Sequence, residues 1–224
     1  LDFGRTLKPQ TLTVDITYSA PLNQQLQGLY QVKYQGKAYA MTQMEPISAR
    51  YAFPGFDEPA FKTPFDLSLT VPAGDQALAN TIATSTKPAG KGWKTVSFAP
   101  TLPLPTYLVA YAAGPWDVVD VPAMPATPQR PAATPLRGIA AQGQGPRITP
   151  ALDQTPAIIA ALEDYYAFGY PFDKLDLVAA PDFSAGAMEN PGFVTFRDWL
   201  LLLDKDSPAE NVQRSFNTNA HELA

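Results

Sequence analysis

Apolar and polar residues alternate with period two in the first half of the chain. The clearest cases are Thr11-Leu12-Thr13-Val14-Asp15-Ile16-Thr17-Tyr18 and Phe65-Asp66-Leu67-Ser68-Leu69-Thr70-Val71, the second stopping at Pro72. Successive side chains of a strand point to opposite faces, so each pattern predicts a half-buried strand. Thr95-Val96-Ser97-Phe98 follows the turn-like Ala89-Gly90-Lys91-Gly92, and Leu108-Val109-Ala110-Tyr111 is a short apolar run. Short strands separated by turn signals over residues 1–120 predict an antiparallel sandwich or a saddle-shaped sheet. Prolines then crowd in at 122, 125, 128, 131, 135, 146 and 150, interrupted by the strand-like Leu136-Arg137-Gly138-Ile139-Ala140. This stretch reads as an extended linker or surface excursion, densest over 121–135, with a domain boundary near 145–150.

From residue 149 the period becomes helical. Thr149 suits an N-cap and Pro150 the first helical position, and Ile158, Leu162, Tyr165 and Tyr166 fall on one face. Gly169 and Pro171 end that helix, and strands are predicted over 175–179 and 192–196. Ser207-Pro208-Ala209-Glu210 has the form of a capping box. A second helix is predicted from 208 onward, carrying His221 and Glu222.

Composition narrows the function classes. The 224 residues include 16 Lys+Arg and 21 Asp+Glu, a net charge of −5, which lacks the basic footprint of a nucleic-acid binder. With 46% apolar residues, disorder throughout is excluded. The 24 prolines disfavour a helical bundle. There is no cysteine, which removes disulfides, thiolate metal clusters and a Cys nucleophile together. No apolar run reaches the ~20 residues of a membrane-spanning helix. Neither end shows a start or stop signal, so the sequence reads as an internal piece of a larger protein. Compartment and oligomeric state are not legible.

Three constellations carry candidate chemistry. His221-Glu222 lies on the second helix and begins like the His-Glu-x-x-His zinc motif, in which Glu acts as general base; an ordinary helical histidine is the plain alternative. His221 is the only histidine. Gly186-Ala187-Met188-Glu189-Asn190 sits between two expected strands, either as a simple Gly-Asn loop or as a sheet edge that binds an extended peptide. Gln43-Met44-Glu45-Pro46 precedes Arg50 and Asp57-Glu58-Pro59. There Arg50 is expected to pair structurally with a carboxylate, whereas Glu45 precedes a proline whose peptide bond is expected to be cis.

Together these residues resemble the zinc metallo-aminopeptidases of the aminopeptidase N type, a gluzincin family. Gly-Ala-Met-Glu-Asn, the later His-Glu-Leu-Ala and the Gln-Met-Glu-Pro stretch match in order and spacing. The resemblance is strongest over 40–75 and 160–224. It implies a mixed fold: residues 1–145 as the later part of an all-β saddle-like N-terminal domain, and 146–224 as the start of a thermolysin-like α/β catalytic domain. It implies His221 as a zinc ligand and Glu222 as the catalytic general base. Glu189 and Glu45 become carboxylates for the substrate α-amine, facing one shared cleft. Gln43 and Met188 line the first side-chain pocket, and backbone groups of Gly186 and Ala187 pair with the peptide. The implied partners are Zn2+, peptides with a free N-terminus and the remainder of the same polypeptide. Further zinc ligands lie beyond Ala224 in such a family, so the 224 residues alone are expected to be inactive and to lack tight zinc. A leukotriene-epoxide-hydrolase-like branch and a non-catalytic scaffold homologue are the alternatives within the resemblance; Ala187 and the Gln-x-Glu pattern at 43–45 are closer to the general aminopeptidases. An acidic β-rich adhesion or carbohydrate-binding module would fit 1–120 but leaves 181–224 unexplained.

Overall fold

The chain reverses tightly at Gln35-Gly36, where both residues have positive φ (48° and 77°), the requirement of a two-residue hairpin turn whose twist matches its strands. The computed structural model describes residue 4 and residues 6–224. This turn joins β1 (Gly28–Tyr34) to β2 (Lys37–Gln43). There follow β3 (Ser68–Pro72), β4 (Gln76–Ala79), β5 (Ala83–Pro88), β6 (Trp93–Phe98) and β7 (Tyr111–Gly114). They form a four-stranded sheet in the order β1-β2-β7-β4 and a three-stranded sheet in the order β3-β6-β5. All pairings in these sheets are antiparallel.

The later elements are β8 (Trp116–Asp120), β9 (Leu136–Ala141), α1 (Thr149–Tyr166), β10 (Leu175–Ala180), β11 (Ala187–Met188), β12 (Phe193–Arg197), α2 (Asp198–Leu201) and α3 (Ala209–Glu222). A five-stranded mixed sheet runs β11-β12-β10-β9-β8, with β9, β10 and β12 parallel. Helix α1 lies on the crossover from β9 to β10. Every residue of β10 is buried, as a parallel strand covered on both faces requires. This sheet runs across residue 145, since β8 and β9 precede it. Mostly β structure is thus followed by the helices and strands that begin a catalytic domain.

One apolar cluster joins the two parts: Tyr30, Tyr39 and Met41 of the four-stranded sheet pack with Trp116, Ile139, Val178 and Phe193 of the mixed sheet. A second cluster packs α1 and α2 on the mixed sheet through Leu152, Ile159, Leu177, Phe196 and Leu200. At the start of β10 the carboxylate of Asp176 is fully buried. It accepts two bonds from Arg137, at 2.8 and 2.7 Å, and one from Lys174 Nζ at 2.9 Å, so this interior charge is fully partnered.

Several local expectations need correction. Residues 11–18 form no strand. Leu12, Val14, Ile16 and Tyr18 are all exposed, because no strand among the described residues lies alongside to complete a ladder. Only Tyr18 is tethered, its hydroxyl donating to Ala52 O at 2.9 Å. Thr149 does not cap α1; a 3-10 turn over Gly145–Ile148 leads straight into the helix. Its buried stripe is Ala151, Leu152, Thr155, Ile158, Ile159 and Glu163, while Tyr165 and Tyr166 face solvent. The capping box does not close. Ser207 Oγ instead accepts from Asp204 N–H, and Glu210 pairs with Arg214. Leu108 belongs to a 3-10 turn over Thr106–Leu108, not to a strand.

The proline-rich stretch packs closely against the rest of the fold. Met124 is fully buried, and Arg130 Nε donates to Glu163 of α1 at 2.7 Å. Glu163 also accepts from Thr127 Oγ1 and Tyr170 N–H. Burial alone would raise its pKa, but these bonds hold the carboxyl below the ordinary glutamate range. Among the described residues no helix is long and apolar enough to cross a membrane.

Candidate active site

Three segments converge where the four-stranded sheet meets the edge of the mixed sheet. The first is the end of β2. Thr42 Oγ1 accepts from Tyr111 N–H at 3.1 Å, tying β2 to β7. This fixes Gln43, Met44 and Glu45 at the rim. Gln43 and Met44 are buried and Glu45 is exposed. The Glu45–Pro46 bond is cis, as expected. Beyond it, Arg50 pairs with Asp57 at 2.8 Å, and Thr106 Oγ1 donates to Asp57 at 2.6 Å. Arg50 and Asp57 therefore have the structural role expected of them.

The second segment is the loop and short strand of residues 183–191. Arg197 holds it in place: its side chain donates to Phe183 O at 3.0 Å and Ser184 O at 2.9 Å, and its backbone N–H donates to Gly186 O at 2.8 Å. Ala187 and Met188 pair with Phe196 and Thr195 of β12. β11 is the last strand of its sheet, so its other edge carries no strand partner among the described residues. Gly186 O is already engaged by the Arg197 N–H. Met188 is buried, with Gln43 Nε2 directed at its sulfur at 3.6 Å. Glu189 is exposed.

The third segment is the end of α3, where His221 is exposed and Glu222 half-buried. Burial pushes the Glu222 carboxyl above its ordinary range; His221 opposes this, and Glu189 and Glu45 add to it. The Tyr107 phenol is also raised, by burial and then by Glu189 and Glu45. Glu189 and Glu45, from separate segments, thus both act electrostatically on Glu222 and on Tyr107. A cavity of about 660 Å³ is lined by Glu189 and Glu222 together with Ile159, Phe168, Tyr170 and Val194. Tyr107 was not visible in the sequence as a site residue, since the two carboxylates near it come from distant segments.

His221 is a suitable zinc donor in kind. Among the described residues, however, no group of three or more His, Cys, Asp and Glu side chains is placed to hold a metal. A catalytic zinc takes about three protein ligands. These residues alone do not complete such a site. Gln43 Oε1 is buried with no hydrogen-bond partner in the structure.

The site sets carboxylates of the β unit and of the later unit near a helix end that carries His221 and Glu222. Comparison with known proteins narrows this. Residues 1–108 match the peptidase M1 N-terminal domain, and residues 150–224 match the peptidase family M1 domain. The chain belongs to the M1 peptidase family. It is 38% identical over 229 residues to aminopeptidase M1-B of Oryza sativa subsp. japonica, covering 100% of this chain and 25% of that protein. Puromycin-sensitive aminopeptidase of Caenorhabditis elegans is 36% identical over 226 residues, covering 98% and 23%. Aminopeptidase N of Acetobacter pasteurianus is 36% identical over 231 residues, covering 100% and 63%. The chain thus spans about a quarter of the length of its plant and nematode relatives.

Proposed function

We propose that the full-length protein is a zinc-dependent aminopeptidase that removes N-terminal residues from peptides. The observation that carries this reading is the meeting of Glu45, from the β unit, with Glu189 and Glu222, from the catalytic unit. An α-ammonium group has three donors and a positive charge, so two carboxylates bind it well and reject a blocked N-terminus. Gln43 and Met188, in contact through Nε2 and sulfur, line the pocket for the first side chain. The outer edge of β11, with the Gly186 and Ala187 backbone, takes the peptide as an added strand. The relatives named aminopeptidase support this assignment.

His221 would be one zinc ligand. When bound, zinc polarises the scissile carbonyl and acidifies its water. Glu222 Oε takes the proton from the attacking water and returns it to the leaving amine. We assign residues 1–145 to the β domain and 146–224 to the start of the catalytic domain, which share one sheet. With a single histidine and no three-donor cluster among the described residues, residues 1–224 alone would cleave no peptide and hold no tight zinc.

The test uses the full-length protein and aminoacyl p-nitroanilides with free or N-acetylated amines, with and without a zinc chelator. Chelator-sensitive cleavage of the free-amine substrate alone supports the reading. Cleavage of neither by zinc-loaded protein refutes it.

A further inference from the structure

Asn80 lies just past β4 and is 4% exposed. Its backbone N–H donates to Ala110 O at 3.1 Å, and its Oδ1 accepts from Ala110 N–H at 2.7 Å. Its amide nitrogen donates to Leu108 O at 3.0 Å and to Pro191 O at 2.9 Å. Both N–H groups and the carbonyl of the carboxamide are therefore engaged. Leu108 closes the 3-10 turn that carries Tyr107, and Ala110 immediately precedes β7. The third, Pro191, is two residues beyond Glu189. The approach is close: a Cβ at Gly192 would lie 2.2 Å from Asn80 O. On the other side of Glu189, Met188 is met by Gln43. Glu189 is thus bracketed along the chain by two contacts from the β unit, of which Asn80 makes the stronger.

We propose that Asn80 is a positioning residue for amine recognition: its carboxamide sets the loop bearing Glu189 at the spacing from Glu45 and Tyr107 at which both carboxylates hold one α-ammonium group. This rests on the aminopeptidase reading above. Only an amide meets the demand at this position. An aspartate would turn a carboxylate toward two carbonyl oxygens, and an alanine would leave both carbonyls without their donor. Misplacing Glu189 weakens the hold on the amine equally in the ground and transition states, which raises KM while kcat stands. A merely structural role would lower the folded fraction and leave KM alone.

The experiment compares full-length wild type with Asn80→Ala, Asn80→Ser and a control, Asp117→Ala. Asp117 accepts from Gly143 and Gly145 N–H groups on β8, at the edge of the sheet opposite β11. Melting temperature, kcat and KM are measured on a free-amine aminoacyl p-nitroanilide. Asn80→Ala is expected to raise KM about tenfold with kcat within about twofold. Asn80→Ser, which keeps one donor, should fall between. Asp117→Ala should lower the melting temperature with KM unchanged. Unchanged KM in folded Asn80 variants overturns the proposal, as does an equal KM rise in the control. So does recovery of both Asn80 variants only in unfolded form beside a folded control, which makes the role structural. A wild type that does not cleave the free-amine substrate overturns the aminopeptidase reading and this proposal together.

Discussion

On the function proposed above, Glu45 and Glu189 would touch a different part of the substrate from the helix-end Glu222, so their contributions would be separable. Replacing Glu189 by Gln keeps the shape and removes the charge opposite the ammonium. In the full-length protein kcat/KM for free-amine substrates should fall about 10- to 100-fold, the cost of one charged hydrogen bond. An effect confined to kcat would place Glu189 at the bond being cut instead. Glu222→Gln should show the complementary pattern, with kcat reduced about 100-fold or more and KM near wild type. Retention of activity by that variant would remove Glu222 from the proton transfers. His221, Glu222, Glu189 and Glu45 were legible because each sits in a short motif with its own chemistry. Tyr107 and Asn80 were not. Their meaning lies in partners such as Pro191, 111 residues from Asn80, and no local pattern encodes that distance.

Among the elements, alternation in the sequence announces a face, and a strand forms only where a neighbour exists. Residues 11–18 alternate more cleanly than β1, yet β1 has β2 across a tight turn and the earlier segment has no strand beside it among the described residues. The capping signals failed because neighbouring chain intervened: a 3-10 turn leads directly into α1, and before α3 the Ser207 oxygen is occupied by Asp204 N–H. The proline-rich stretch was read from composition alone, which missed the buried Arg130–Glu163 ion pair that anchors it. Arg130 and Glu163 are both buried, so Arg130→Ala should destabilise the fold by about 3–5 kcal/mol, read by denaturant unfolding. The same pair gives an acid dependence. Glu163 has a lowered pKa in the folded state, so its contribution is complete above the ordinary glutamate range and is lost as pH falls through the depressed value. Glu163→Gln should flatten that part of the stability-versus-pH curve; an unchanged slope would assign it to other carboxylates.

For the whole molecule, the apolar cluster shared by the four-stranded and mixed sheets makes it costly to open one without the other. Residues 1–224, folded alone, should unfold in one transition seen alike by far-ultraviolet circular dichroism and by tryptophan fluorescence. Two resolved transitions would show that the shared cluster is weak. The arrangement of strands also bears on how relatives of this family can exchange parts. The chain passes from the four-stranded sheet to the mixed sheet between β7 and β8, at Pro115, whereas the helical half starts only after residue 145. A chimera spliced at 145 would build one sheet from two parents, with β8 and β9 from one donor zipped to β10 from the other. A splice at Pro115 leaves every sheet with a single ancestry, and asks only that the buried faces of the two donors fit.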